Sequence, residues 1–208
     1  MTGDIPHRRG RVCLGLVLVM AGVIWSGTPV AQTPPPSWPI AEAPDELRAV
    51  VPRADLIVVS MQDAVLRELT GALARGGPGA AIGFCHLDAT YVSQRIGKDA
   101  GIAAGRTSDR LRNPTNAPRS WAAPLVQANA GRQAKSVEGF VVDLGGRVGV
   151  LRPIAERPVC AGCHGPADKL SPQVLRVLAD RYPVDRAVGF RDGEIRGWFW
   201  VEMPKHQR

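Results

Sequence analysis

The feature that most constrains this chain is the run Cys160-Ala161-Gly162-Cys163-His164. Two cysteines separated by two residues, with a histidine directly after the second, form the attachment signature of a c-type haem. In that chemistry each thiol adds to a vinyl group of the porphyrin, and the adjacent histidine is placed under the ring to bind the iron. The motif therefore predicts one covalently attached haem c, held by Cys160 and Cys163, with His164 as an iron ligand.

The same two cysteines have other possible roles. Cys160 and Cys163 could form a disulfide in an oxidising compartment, or they could supply half of a zinc site. Zinc usually needs a second Cys/His pair at short spacing, and the sequence contains none. The haem interpretation is therefore the favoured one.

The N-terminal segment has the layout of a secretory signal peptide. Residues 1–11 carry three arginines, an apolar run follows over residues 12–25, and small residues lead up to Ala31. The apolar run is shorter than the roughly 20 residues that span a bilayer as a helix. We therefore predict a signal peptide over residues 1–31 and a periplasmic location, with membrane attachment only if the segment stays uncleaved.

Export agrees with the haem prediction, because covalent haem attachment in bacteria takes place outside the cytoplasmic membrane, where thiols tend to oxidise. Cys13 is removed with the signal peptide. If Cys160 and Cys163 hold haem, Cys85 is left as a single unpaired thiol in that oxidising compartment. An unpaired thiol is unusual there and needs an explanation.

The charge pattern bears on partners. The net charge is +7, but the arginines are spread along the chain rather than clustered, which argues against nucleic-acid binding. A docking surface for an acidic partner and a generally solvated surface both remain compatible with this charge.

The rest of the chain predicts one mixed domain over residues 45–208, preceded by a proline-rich linker over residues 32–44. The proline-rich stretch of this linker, residues 32–39, is expected to be extended and poorly ordered. Hydrophobic periodicity and turn signals predict its elements: helices over residues 45–73, 80–98, 116–129 and 171–182, and strands over residues 102–109, 139–144, 147–154 and 195–203. Gly145-Gly146 predicts a hairpin, and the aromatic residues of the last strand are expected in the core.

Candidate iron ligands and anion-binding residues follow from this layout. Periodicity places Cys85 on the inward face of the second helix, either as a small apolar filler or as a thiolate bound to the haem iron. Met61, Met203 and His86 are rival ligands, although Met61 falls on an apolar helix face. Arg106 and Arg112 are either solvated or paired with haem propionates.

A set of motifs, taken in order, resembles the Tll0287-like haem domain family over roughly residues 45–204. The motifs are Ala81–Cys85, Arg106–Ser108, Arg112–Trp121, Cys160–Gly165, Tyr182–Phe190 and Gly193–Gly197. The resemblance implies an α+β, PAS-like fold in which an antiparallel sheet and flanking helices enclose a single haem c. It also implies His164 and Cys85 as the two axial ligands. Ala122 departs from the acidic residue usual in the family at that position.

Thiolate ligation has consequences for function. An anionic donor favours ferric over ferrous iron, so the reduction potential should be low. We therefore predict an exported monohaem cytochrome that transfers electrons to an unidentified redox partner protein. It is not expected to be an enzyme, because Cys85 would block the open iron position that peroxidase chemistry needs. The alternative is a redox or gas sensor that acts through a separate partner when Cys85 detaches.

Overall fold

The protein is described by a computed structural model over residues 33–87 and 89–206, except for the side chains of residues 86 and 87. The predicted signal peptide and Cys13 therefore lie outside the described residues, as does the side chain of His86. No helix in the described part of the chain is long and apolar enough to cross a membrane.

The described residues form one five-stranded antiparallel sheet with helices on both faces. Its strands are β1 (Ser37–Pro39), β2 (Ala103–Thr107), β3 (Phe140–Asp143), β4 (Arg147–Ala155) and β5 (Ile195–Pro204), in the spatial order β1-β3-β4-β5-β2. The helices are α1 (Asp45–Arg48), α2 (Val51–Leu87), α3 (Ala89–Asp99), α4 (Ala123–Ala128), α5 (Pro158–His164) and α6 (Pro172–Arg181). This architecture confirms the predicted fold class, an α+β protein with a PAS-like sheet.

The two faces of the sheet bury separate apolar clusters because successive strand residues point to opposite sides. Val141, Val150 and Val201 belong to the cluster that packs against the first part of α2. Val142 and Leu151 belong to the cluster on the opposite face, beside α4. The aromatic residues of β5 lie mainly in these clusters, as predicted.

Helix α2 is divided by two glycines, as the sequence predicts. Gly76 and Gly77 have non-helical backbone angles, and Gly77 adopts a φ of 62° that a residue with a side chain rarely takes. Pro78 follows, because proline is tolerated in a first helical turn. The second part of α2 packs through Ile82 against α6.

The proline-rich segment differs from the prediction. A poorly ordered spacer was expected over residues 32–39, but Ser37–Pro39 forms the edge strand β1, paired with β3. Ile40 and Ala43, which follow, are buried in the cluster beneath α2. Edge strands tolerate proline because one side of their backbone needs no partner, so the packed unit begins before residue 45.

The helix predicted over residues 116–129 is also shorter than expected. Asn113 accepts a capping hydrogen bond from the backbone N–H of Thr115 at the start of a short 3-10 turn, Pro114–Asn116, and α4 begins only at Ala123. Ala122, just before it, is fully buried. The hairpin at Gly145-Gly146 and the helix that starts after Ser171 are confirmed.

Candidate functional site

The short helix α5 explains why the cysteine motif can act as a unit. Cys160, Cys163 and His164 are separated by three and four residues, so they share one side of the helix. Gly165 ends the helix by donating its N–H to Ala161 O (3.0 Å). A Cβ at Gly165 would lie 2.6 Å from that oxygen, so a glycine is required for this close approach.

A cavity of about 620 Å³, which includes space open to solvent, lies beside α5. It brings together side chains from α2, β2, β5, α5 and the loops between them: Cys85, Arg106, Arg112, His164, Tyr182 and Arg196. Cys160 lines a neighbouring cavity of about 600 Å³, and Arg106 and Arg196 line both. Cys163 is partly buried against the cluster between α2 and α6.

His164 is held in the tautomer that a metal needs. Its Nδ1 lies 2.8 Å from the carbonyl oxygen of Ala187, which can only accept a hydrogen bond. Nδ1 therefore carries the proton, and Nε2 keeps its lone pair. Burial lowers the pKa of His164 well below the ordinary 6.5, and Arg196 and Arg112 lower it further, so the ring is neutral at pH 7.

Arg112 connects the loop after α6 to α5. Its Nε contacts Asp185 Oδ2 (3.0 Å), and its terminal nitrogen donates to the carbonyl oxygens of Cys163 (2.6 Å) and Ala187 (3.2 Å). Asp185 also accepts from the Ala187 N–H (2.8 Å). Arg112 thus fixes the carbonyl that orients His164, which makes it a positioning residue and leaves little of its guanidinium for a propionate.

Cys85 is partly buried on α2 and faces three guanidinium groups. Burial raises the pKa of its thiol, whereas the positive charges of Arg106, Arg112 and Arg196 act in the opposite direction. Without a metal the thiol is therefore the stable form. A bound cation would favour the thiolate, because a coordinating thiol loses its proton.

Arg106 is a buried cation of this cavity. Its Nε is fully enclosed and, like that of Arg196, has no hydrogen-bond acceptor among the described residues. Burial, followed by the nearby Arg196, lowers its pKa to about 10, so Arg106 still carries its charge at pH 7. An enclosed, unsatisfied guanidinium suits an anionic group in the cavity, such as a thiolate or a propionate.

Arg196 and Tyr182 are residues of the cavity that sequence reasoning did not single out. Arg196 is placed by a β-bulge: Ile154 pairs with Gly197, but the next residue, Ala155, pairs with Ile195. Arg196 is therefore the extra residue of β5, and bulges of this kind redirect a side chain. Burial raises the pKa of the Tyr182 hydroxyl. No local sequence pattern indicates this bulge.

The rival ligands and the disulfide receive no support. Met61 and Met203 are fully buried in the cluster between α2 and the sheet, and neither lines these two cavities. Cys160 and Cys163 are both free thiols.

The zinc alternative also lacks a donor set. Among residues 33–87 and 89–206, no group of three or more His, Cys, Asp and Glu side chains could hold a metal ion. Zinc bound by protein ligands usually needs four donors, whereas porphyrin iron needs at most two. The neutral His164 imidazole and the Cys85 thiol on one cavity therefore fit an iron porphyrin better than they fit zinc.

Comparison with known proteins gives one family and one solved structure. The model of the Tll0287-like family matches residues 31–204. The crystal structure of the cyanobacterial heme-protein Tll0287 is 24% identical in sequence and has a TM-score of 0.46. The match covers 76% of this chain and 98% of that one. No curated protein matches the chain.

Proposed function

Because this chain belongs to the Tll0287-like family, we propose that it is an exported haem protein that transfers single electrons. Cys160 and Cys163 hold the haem covalently, as the attachment motif predicts, and no substrate is turned over. The observation that carries the proposal is the His164–Ala187 hydrogen bond. It places the proton on Nδ1 and leaves Nε2 as the donor atom beside the cavity that Cys85 also lines, while burial keeps the imidazole neutral.

In this proposal His164 and Cys85 are the side chains that would hold the haem iron. When bound, the haem supplies an iron that takes up and releases one electron. The chain's own residues set how readily this happens. The Cys85 thiolate favours ferric iron and so lowers the reduction potential. The positive charges of Arg106, Arg112 and Arg196 favour the added electron and so raise the reduction potential. The thiolate is expected to dominate because it is bound directly to the iron.

A second candidate function is a redox or gas sensor, and one observation favours it. Burial raises the pKa of the Cys85 thiol. The protein environment therefore favours the protonated sulfur whenever the iron binds the thiolate less strongly. Reduction weakens the attraction of iron for an anion, and Cys85 would then take a proton and detach. The vacated iron position would bind a small gas, and the signal would pass to a separate partner.

Low-temperature EPR of the ferric protein tests the ligand pair. The full chain is produced with a signal peptide in cells that carry out c-type haem maturation, and covalent attachment is checked by mass. We expect a low-spin, thiolate-type spectrum that is lost in Cys85→Ala and kept in Met61→Leu, a control substitution in the core. A high-spin spectrum, or one that does not respond to Cys85→Ala, would remove Cys85 as a ligand.

The same preparations separate carrier from sensor and test export. A ferrous protein that stays six-coordinate and does not bind carbon monoxide supports the carrier. Carbon monoxide binding to wild type supports the sensor. Recovery of the haem-bearing protein in the periplasmic fraction, with its N-terminus following Ala31, supports export and cleavage. Recovery in the membrane fraction with the segment intact supports an anchor.

A further inference from the structure

Glu156 is a buried carboxylate beside the site that the proposed electron transfer does not use. It stands between β4 and α5 and is 2% exposed. Its backbone is fixed on both sides, because its N–H donates to Glu194 O (2.8 Å) and its carbonyl accepts from the Gly193 N–H (3.0 Å). These bonds hold the backbone segment that carries the buried side chain.

The carboxylate has one close cation and no well-formed hydrogen bond. Arg196 Nε lies 3.2 Å from Glu156 Oε2, but the groups are not aligned for a hydrogen bond. Both carboxylate oxygens lack a hydrogen-bond partner within the part of the chain that the structure describes. A buried charge of this kind is costly, whereas the protonated acid would be tolerated.

The charged groups around Glu156 come from several elements. Arg196 on β5 and Arg112 in the loop after β2 favour the carboxylate, while Glu194 and Asp192 in the turn before β5 oppose it. Burial is the largest influence, and together these effects raise the pKa of Glu156 to about 7. The acid is thus poised to gain or lose a proton near neutral pH.

Arg196 connects this acid with the proposed iron site. Because of the β-bulge, its guanidinium contacts Glu156 and also lines the cavity that holds Cys85 and His164. Its charge acts on Glu156 and on the Cys85 thiol alike. A change of charge at the iron should therefore change the electrostatic potential at Glu156, because both groups interact with the Arg196 guanidinium where solvent screening is weak.

We propose that Glu156 is a proton-binding site coupled to the electron, gaining a proton when the iron is reduced and losing it on oxidation. The inference rests on the proposed function. In the reduction step the redox partner supplies one electron, which converts ferric to ferrous iron. One proton leaves a hydronium ion of the solvent, whose O–H bond breaks, and forms an O–H bond with a Glu156 carboxylate oxygen. The added negative and positive charges cancel, so the buried region keeps its net charge.

Redox titration of the haem-bearing protein over a series of pH values tests this coupling. In wild type the midpoint potential should fall by up to about 59 mV for each tenfold fall in proton concentration around neutral pH, as for one electron with one proton. In Glu156→Gln, which mimics the protonated acid, the potential should become nearly independent of pH in that range. Glu202→Gln is the matched control, because Glu202 is also a buried carboxylate on β5 but is paired with Arg119. It should keep the wild-type slope.

Infrared difference spectra between the reduced and oxidised protein give a second readout. Reduction should produce the carbonyl band of a protonated carboxylic acid, shifted in heavy water and missing in Glu156→Gln. A flat potential in haem-bearing wild type, a slope that survives in Glu156→Gln, or the absence of that band overturns the coupling alone. If no covalent haem forms at all, both the proposed function and this inference fall. If Glu156→Gln does not fold, the infrared band of wild type decides.

Discussion

Arg112 and Asp185 form a nearly buried ion pair, with 3.0 Å between Nε and Oδ2 and side-chain exposures of 9% and 11%. The pair joins the loop after β2 to the loop after α6. The same guanidinium reaches the carbonyl oxygens of Cys163 and Ala187. The orientation of the histidine in the attachment motif therefore depends on a salt bridge between two segments far from it in sequence.

Asp185→Ala should weaken this connection. Removing one partner of a buried ion pair leaves the other charge uncompensated, so we expect the free energy of unfolding to fall by about 3 kcal/mol. Urea unfolding measures this. Asp180→Ala is the control, because Asp180 forms an exposed ion pair with Arg181 and should matter little. Equal effects of the two substitutions would contradict a special role for Asp185.

Arg106→Gln should lower the reduction potential of the haem-bearing protein. The substitution removes an enclosed positive charge that favours the extra electron, an interaction on the order of 1 kcal/mol in a protein interior. This corresponds to roughly 40 mV for one electron. Redox titration at fixed pH measures the shift, and exposed Arg176→Gln on α6 is the control for net charge. An unchanged or higher potential would remove Arg106 from the electrostatics of the site.

The attachment motif and the hairpin could be predicted from the sequence because their signals are local. Cys160, Cys163 and His164 are close in the chain, so their spacing alone identifies the motif, whereas the helix α5 that carries them was not predicted. Gly145-Gly146 likewise defines a turn without any other part of the molecule. The inward position of Cys85 followed from helix periodicity, and the structure places it on the cavity that His164 also lines.

The contact between Glu156 and Arg196 could not be predicted in this way. It depends on the register of β4 against β5 and on the bulge opposite Ile154 and Ala155. No local sequence pattern indicates the bulge or which residues of β4 and β5 pair with each other. Arg112 was predicted to be either solvated or paired with a haem propionate. Its partners within the described residues are Asp185 and Ala187 in the loop after α6 and Cys163 on α5, which are far from it in sequence.

Gly139→Ala tests the packing beside β1, the edge strand that was predicted to be a poorly ordered spacer. Gly139 precedes β3 with a φ of 131°, and an added Cβ would collide with the carbonyl oxygen of Leu151 and crowd Ile40. We expect a loss of about 3 kcal/mol or more in the free energy of unfolding. Gly146→Ala is the control, since nothing lies within 4 Å of its added Cβ. Similar stability of the two variants would contradict this packing.

Glu202→Gln should reduce stability in a pH-dependent way. Glu202 is 8% exposed. Although burial opposes it, hydrogen bonds from Arg119 and Trp121, each 2.8 Å long, hold the pKa of Glu202 below its ordinary 4.5. The folded state therefore binds this proton less readily than the unfolded state. The stabilisation from the carboxylate is present above pH 4.5 and is lost as the pH falls through the lower, folded-state pKa.

At pH 7 the free energy of unfolding of the Gln variant should therefore be about 1.5–3 kcal/mol lower than that of wild type, the range for hydrogen bonds to a charged group. The difference should narrow as the pH drops below 4.5, because wild type then protonates the same carboxyl. Urea unfolding at pH 7 and at several acidic pH values measures both, with Glu138→Gln as an exposed control. A difference that stays constant with pH would mean that Glu202 acts through its shape rather than its charge.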